Sequence, residues 1–264
     1  MTVLQLVVLA LVQGITEFLP ISSKAHLVLV REFLLWDQDL LLDVAVHVGT
    51  LAAVVIYFWR DIGSIVMPLV SSRRRHGRDR SRLALYLCLA TLPVIAAGAL
   101  VYLFAPGLLE DPVLIMATTI GFAILLYGAD RLGLTVRNLD HMTLSSALFI
   151  GCAQALAILP GTSRAGITMT AARMAGFERD TAARFAMLLS IPVIVAAGAF
   201  AGYELVKSGD PVLTLDAGIA AVLSFAVALL AIWVLMQLVR RVGFTPFVIY
   251  RLLLGAGLIV WLYA

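Results

Sequence analysis

Gln13-Gly14-Ile15-Thr16-Glu17-Phe18-Leu19-Pro20-Ile21-Ser22-Ser23-Lys24-Ala25-His26-Leu27 sets six polar side chains, Gln13, Glu17, Ser22, Ser23, Lys24 and His26, inside otherwise apolar sequence. A central ionised residue in a membrane costs about 2.5–3.5 kcal/mol on insertion scales, so Glu17 and Lys24 are functional suspects. The apolar run before Gln13 is too short to cross a bilayer, and Pro20 breaks any helix arriving from the N-terminus. Residues 2–12 and 25–35 therefore read as a helix-turn-helix that enters and leaves on one side. A second stretch, Leu159 to Thr168 (LPGTSRAGIT), repeats the theme: Pro20-Ile21-Ser22-Ser23-Lys24 is answered by Pro160-Gly161-Thr162-Ser163-Arg164. One site in two halves is expected.

The surroundings explain why those groups stand out. The 264 residues are 62% hydrophobic and only 13% charged, with a mean hydropathy of +1.03, which marks an integral membrane protein. A net charge of +3 comes from cations that are nearly all Arg in short inter-segment loops. That distribution follows the positive-inside bias and offers no solvated basic face, so nucleic acid is not a partner. Cys88 and Cys152 lie in apolar runs and imply no disulfide framework. The N-terminal MTVLQLVVLA lacks the basic region and cleavage site of a signal peptide.

Spans are expected at 43–58, 83–104 and 113–129. A second re-entrant pair follows at 145–159 and 167–175, then spans at 182–203, 217–238 and 247–263. Arg60, the arginines of 73–82, Arg131, Arg137, Arg173, Arg179, Arg184, Arg240 and Arg241 then share the inner face. Arg31, Lys207 and the acidic loops at 110–111 and 204–210 lie outside. The expected fold is an all-α polytopic membrane protein, a single membrane domain over 1–264. Six transmembrane helices and two re-entrant pairs form inverted repeats at approximately 1–130 and 143–264, a plan that puts the site at mid-membrane where broken helices meet. The halves also match at 92–98 (LPVIAAG) and 191–198 (IPVIVAAG). Gly98, Gly121, Gly198 and Gly202 permit close helix packing within one chain or between two, so a homodimer stays open.

Gln13 and Glu17 share one helical face at i,i+4 and can hold a cation or a water between them; a structural bond to a neighbouring helix is the plainer alternative. Ser22 and Ser23 are both good N-caps, with His26 one turn on. Pro160-Gly161 restarts a helix at Thr162-Ser163, with Arg164 in its first turn and Thr168 on the same face. Two helix N-termini inside a membrane suit phosphate, and Arg164 adds a bidentate donor. Arg164 pairing with Glu17 merely to pin the halves together is the competing reading. Lys24 either binds anion or snorkels at the mouth. Asp43 and His47, again i,i+4, read as capping or interhelical contacts.

At these residues the sequence resembles the undecaprenyl pyrophosphate phosphatase family, also called the bacitracin-resistance family of membrane phosphatases. The resemblance rests on three motifs in order: Gln13 followed by Glu17, FLP-x-SS-x-x-H from Phe18 to His26, and PG-x-SRS-x-x-T from Pro160 to Thr168. It implies hydrolysis of undecaprenyl pyrophosphate to the monophosphate at a periplasm-facing site in the bacterial inner membrane, recycling the lipid carrier of cell-wall synthesis and conferring bacitracin resistance. Glu17, Ser23, His26 and Arg164 are then the expected catalytic residues. Gln13, Ser22, Lys24, Gly161, Thr162, Ser163 and Thr168 bind substrate, and Glu17 with Gln13 holds a divalent cation such as Mg or Ca. Ser23, or a water held by Glu17, is expected to attack phosphorus while His26 transfers the proton. Two departures stand inside the motifs: Ala165 replaces the second Ser, and Lys24-Ala25 stands where Thr-Gly is common. A lipid or anion transporter or flippase with the same inverted-repeat plan is the alternative function, and a non-catalytic scaffold leaves both polar clusters unexplained. The separated motifs of type-2 phosphatidic acid phosphatases are not found.

Overall fold

The computed structural model describes residues 3–34, 36, 40–70, 78–105, 107, 111–133, 135–208 and 211–263, with side chains not described at 33, 40–41, 69–70, 78–81, 197, 200–208 and 211–214. Residues 73–77, Glu110 and Asp210, and the side chains of Glu204 and Lys207, on which part of the expected loop charge falls, lie outside the described residues. The described chain is helical, and its only extended pairing is an isolated bridge between Arg137 and Phe177. Eleven helices follow in order: α1 Val3–Thr16, α2 Ser23–Leu34, α3 Leu40–Tyr57, α4 Trp59–Val70, α5 Arg78–Phe104, α6 Pro112–Leu132, α7 Leu144–Gln154, α8 Arg164–Met174, α9 Arg179–Ser208, α10 Pro211–Arg241 and α11 Thr245–Tyr263.

Four of the described segments, Arg82–Phe104, Pro112–Leu132, Leu215–Arg241 and Thr245–Tyr263, are long and apolar enough to cross a membrane. A fifth arises if the bent pair Leu42–Tyr57 and Trp59–Pro68 counts as one span. The 76° bend between them starts α4 at Trp59, so residues 59–70 form a helix where sequence marked only the end of a span. The two suspected re-entrant units are helix pairs, α1 with α2 and α7 with α8, each broken at its Pro.

Packing exchanges partners between the halves. Helix α1 lies on α10 and α7 lies on α5, while α3 meets α9 and α6 meets α11. Helix α9 runs through the centre: Ala182, Ala183, Phe185, Ala186, Met187, Leu188 and Leu189 are all buried, as a helix apolar all round must be. The matched segments at 92–98 and 191–198 both carry a helical Pro, but in α5 and α9. In the order of elements those helices are not counterparts, so that sequence match is incidental to the packing.

Different glycines make the close approaches. A Cβ on Gly49 would sit 2.1 Å from Ala221 O on α10, and one on Gly151 would sit 2.3 Å from Ala90 O on α5. Gly121 has open space beside it, and Gly98 meets only Ile158 at 3.9 Å.

The arginine-rich end is tied together by ion pairs. Asp130 at the end of α6 takes Arg179 in a two-bond contact at 2.7 and 3.0 Å and also meets buried Arg173 at 3.3 Å. Arg184 reaches Asp61 and Asp180, and Arg240 joins Asp180 at 2.6 Å. Several arginines assigned to the inner loops thus lock α4, α6, α8, α9 and α10 at one end of the bundle.

Candidate active site

Glu17 stands at the break after α1, and four side chains converge on it. Its Oε1 accepts from Arg164 Nη2 at 2.8 Å, while Oε2 accepts from Gln13 Nε2 at 2.8 Å and Ser23 Oγ at 2.9 Å. His47 Nε2 lies 3.7 Å from the same oxygen. Gln13 reaches Glu17 because i,i+4 places them on one face. Ser23 and Arg164 reach it because each opens a helix, α2 and α8, whose N-terminus faces the break.

The two helix starts are built alike. Ser22 and Ser163 both adopt positive φ, 75° and 69°, and each side chain accepts from the amide three residues on, Ala25 N at 3.4 Å and Gly166 N at 3.1 Å. The caps are therefore Ser22 and Ser163. This shifts the expected pairing by one residue: Arg164 answers Ser23, and Lys24 answers Ala165. Gly161, at φ 87°, supplies the additional residue. It is confined to Gly, since a Cβ there would stand 2.2 Å from Thr118 Oγ1 and 2.5 Å from Ile115 O.

Other expected ligands are placed differently. Thr168 Oγ1 donates to its own helix, to Arg164 O and Ala165 O. Lys24 is exposed at the rim. The His26 ring is turned away from Ser23: Nδ1 bonds Ser22 O at 2.7 Å and Nε2 bonds the Tyr250 hydroxyl at 2.6 Å. The two rings stack, 5.7 Å apart and 13° from parallel. The Ser23–His26 adjacency expected from spacing is thus replaced by Ser23–Glu17 and His26–Tyr250.

Sequence reading ranked His47 low and passed over Tyr250. His47 Nδ1 caps onto Asp43 O, and Asp43 pairs with Arg31, so its other nitrogen is presented to Glu17. Its i,i+4 spacing from Asp43 was the available signal. Nothing in the apolar run of α11 marked Tyr250.

Among the described residues, buried polar atoms of the site are left without partners: Arg164 Nη1, Thr162 Oγ1, Gln13 Oε1 and Thr119 Oγ1. Buried polar atoms in native proteins are nearly always satisfied, so these atoms are free to pair with a polar group brought to the site. Arg164 Nη1 and the N-termini of α2 and α8 are donors, the kind of group that can pair with an anion.

The helices and the site define a multi-pass helical membrane protein with a polar centre between two broken helix pairs. The chain belongs to the family described as Bacitracin resistance protein BacA, whose profile matches residues 6–257. It is 50% identical to the undecaprenyl-diphosphatase of Hahella chejuensis, covering 100% of this chain and 99% of that one. It is 48% identical to the undecaprenyl-diphosphatase of Teredinibacter turnerae, over 98% and 99%, and 46% identical to that of Jannaschia sp., over the full length of both.

Proposed function

We propose that this chain hydrolyses undecaprenyl diphosphate to undecaprenyl phosphate and inorganic phosphate, recycling the lipid carrier for cell-wall synthesis and so conferring bacitracin resistance. The carrying observation is Glu17 held between a hydroxyl and a guanidinium, with Arg164 Nη1 still free to take a phosphoryl oxygen. Family membership and full-length relatives named undecaprenyl-diphosphatase support the substrate.

In this proposal Ser23 Oγ attacks the terminal phosphorus and its proton passes to Glu17. The anhydride P–O bond breaks, and undecaprenyl phosphate departs. Water then cleaves the Ser23 phosphoester and releases inorganic phosphate. Arg164 and the two helix N-termini stabilise the charge on the transferred group, the main task in phosphoryl transfer. Gln13 orients Glu17, Thr162 offers a hydroxyl, and His26 with Tyr250 handles the second proton. Ser22, Ser163, Gly161 and Thr168 act through the backbone turns they shape, and Lys24 attracts the diphosphate at the mouth. Direct attack by a water held on Glu17 is the rival route, and trapping a labelled phosphoserine on Ser23 separates the two.

A divalent cation fits only as an ion carried in by the substrate. Both Glu17 oxygens are engaged, one of them by Arg164, and Gln13 contributes a single amide oxygen. That set falls short of the roughly six oxygens that Mg or Ca requires.

The chain forms one membrane domain of six spans, α9 providing the sixth, and two re-entrant pairs. The reciprocal packing of α1 on α10 and α7 on α5 supports an inverted repeat. We assign the ion-paired arginine end to the cytoplasmic side of the inner membrane, with the site opening to the periplasm; the concentration of arginine at that end supports this orientation. The transporter reading predicts lipid movement without phosphate release. Purified protein in detergent, given undecaprenyl diphosphate, should release phosphate, and Glu17→Ala and Arg164→Ala should abolish release in folded protein. Binding without release in the wild type would sink the phosphatase reading.

A further inference from the structure

Arg251 lies in the middle of α11, fully buried, and all five of its N–H groups are spent on backbone carbonyls. Nε donates to Thr119 O at 3.1 Å. Nη1 donates to Pro20 O at 3.3 Å and Thr162 O at 3.0 Å, and Nη2 to Thr118 O at 3.3 Å and Gly161 O at 2.8 Å. A guanidinium has five donors, so none is left over. One side chain therefore grips the turn after α1, the turn before α8, and α6 behind them. Thr118 Oγ1 adds a bond to Pro160 O, so three consecutive carbonyls, those of Pro160, Gly161 and Thr162, are held from α6 and α11.

We infer, taking the site to be the phosphatase centre proposed above, that Arg251 is the positioning residue that joins the two half-sites and aims their helix N-termini at the substrate. In a trans peptide the C=O and the following N–H point opposite ways across one plane. Drawing Thr162 O to the guanidinium therefore turns the Ser163 N–H away from it, and drawing Pro20 O turns the chain entering Ser22. Both caps that follow, Ser22 and Ser163, sit at positive φ, a conformation that persists in non-Gly residues only where the surroundings over-determine it. Arg251 supplies that constraint to both turns at once. It also leaves a buried cation directly behind the anion-binding turns, where it reinforces the helix N-termini. Lysine has three donors on a flexible stem, so it reaches at most three of the five carbonyls and cannot bridge both turns and α6 as the guanidinium does.

The test uses the full chain in detergent, with phosphate release, thermal midpoint and the rise in that midpoint on adding inorganic pyrophosphate measured on the same preparations. Arg251→Lys is expected to keep its helical spectrum, lose about 100-fold in kcat, the scale of a 1 Å misplacement, and lose the pyrophosphate-induced rise. Thr118→Val, which removes the hydroxyl that Pro160 O shares with Leu114 O and Ile115 O of α6 and leaves those two carbonyls their place in the helix, is expected to lose about tenfold in kcat with KM little changed. A lowered midpoint in Arg251→Lys with wild-type kcat and a wild-type pyrophosphate shift would show a packing role only and overturn the inference. Should Arg251→Lys not fold, Thr118→Val decides: unchanged kcat overturns, reduced kcat supports. If the wild type itself releases no phosphate, the phosphatase reading falls. The positioning role is then judged by the pyrophosphate shift, which overturns it if Arg251→Lys, or Thr118→Val where the lysine variant does not fold, retains that shift.

Discussion

Glu17 accepts from Gln13, Ser23 and Arg164 while nearly sealed from solvent, and removing its charge should matter more than removing the orienting amide of Gln13. Glu17→Gln keeps the volume but leaves Ser23 without a carboxylate to receive its proton; kcat should fall by at least about 100-fold with folding intact, read as phosphate release per folded molecule. Tyr250→Phe keeps the stack on His26 and deletes only the hydroxyl bond to Nε2. The expected cost is about 1 kcal/mol, a roughly fivefold fall in kcat. Wild-type turnover in Tyr250→Phe would remove Tyr250 from the reaction. The two changes also separate what was legible from what was not. Glu17 announced itself as an ionised group in apolar sequence, whereas Tyr250 reaches His26 across 224 positions of chain, and no local pattern encodes that contact.

Gly49 and Gly151 let their helices approach the backbone of α10 and α5. Gly49→Ala would press a methyl group into Ala221 O and the Ser224 hydroxyl, forcing α3 away from α10; overpacking of this kind costs about 1–3 kcal/mol. Gly121→Ala, on a helix face with open space beside it, should be neutral or stabilise by up to about 1 kcal/mol. Thermal midpoints of the two variants in the same detergent check the contrast, and equal midpoints would show that the α3–α10 approach is not held as described. Of the glycines singled out by sequence, Gly98, Gly121 and Gly198 would meet nothing closer than 3.5 Å with a Cβ added, because composition reveals where close packing is allowed but not which face of a helix is turned inward.

The whole molecule has two ends of different character. Its arginine end is locked by Asp130, Asp180 and Asp61, while the broken helix pairs carry the polar site. A cysteine introduced at Gly107, between α5 and α6, should react with an impermeant thiol reagent in intact cells. One at Asn138, between α6 and α7, should react only after the membrane is opened, in a background with Cys88 and Cys152 replaced. The reverse pattern would invert the proposed orientation. Because no protein-only cage surrounds Glu17, Mg alone should not raise the thermal midpoint, whereas chelation should slow turnover of the diphosphate. A midpoint rising with Mg alone would place the ion on the protein.

Sequence alone determined that the chain is a helical membrane protein, broken at Pro20 and Pro160, and singled out Gln13, Glu17, Ser23 and Arg164, which the structure brings together. The reason is energetic: a bilayer penalises every polar group that is not used, so those that remain are conspicuous, and proline breaks are visible one residue at a time. Tertiary structure decided what each group touches. It made Glu17 rather than His26 the partner of Ser23, chose Ser22 and Ser163 as the caps from the candidates, and gave His26 to Tyr250 and the two turns to Arg251. The last two contacts depend on α11 returning to segments 89 to 231 residues earlier in the chain, and an arginine satisfied wholly by backbone carbonyls has no sequence partner to reveal it.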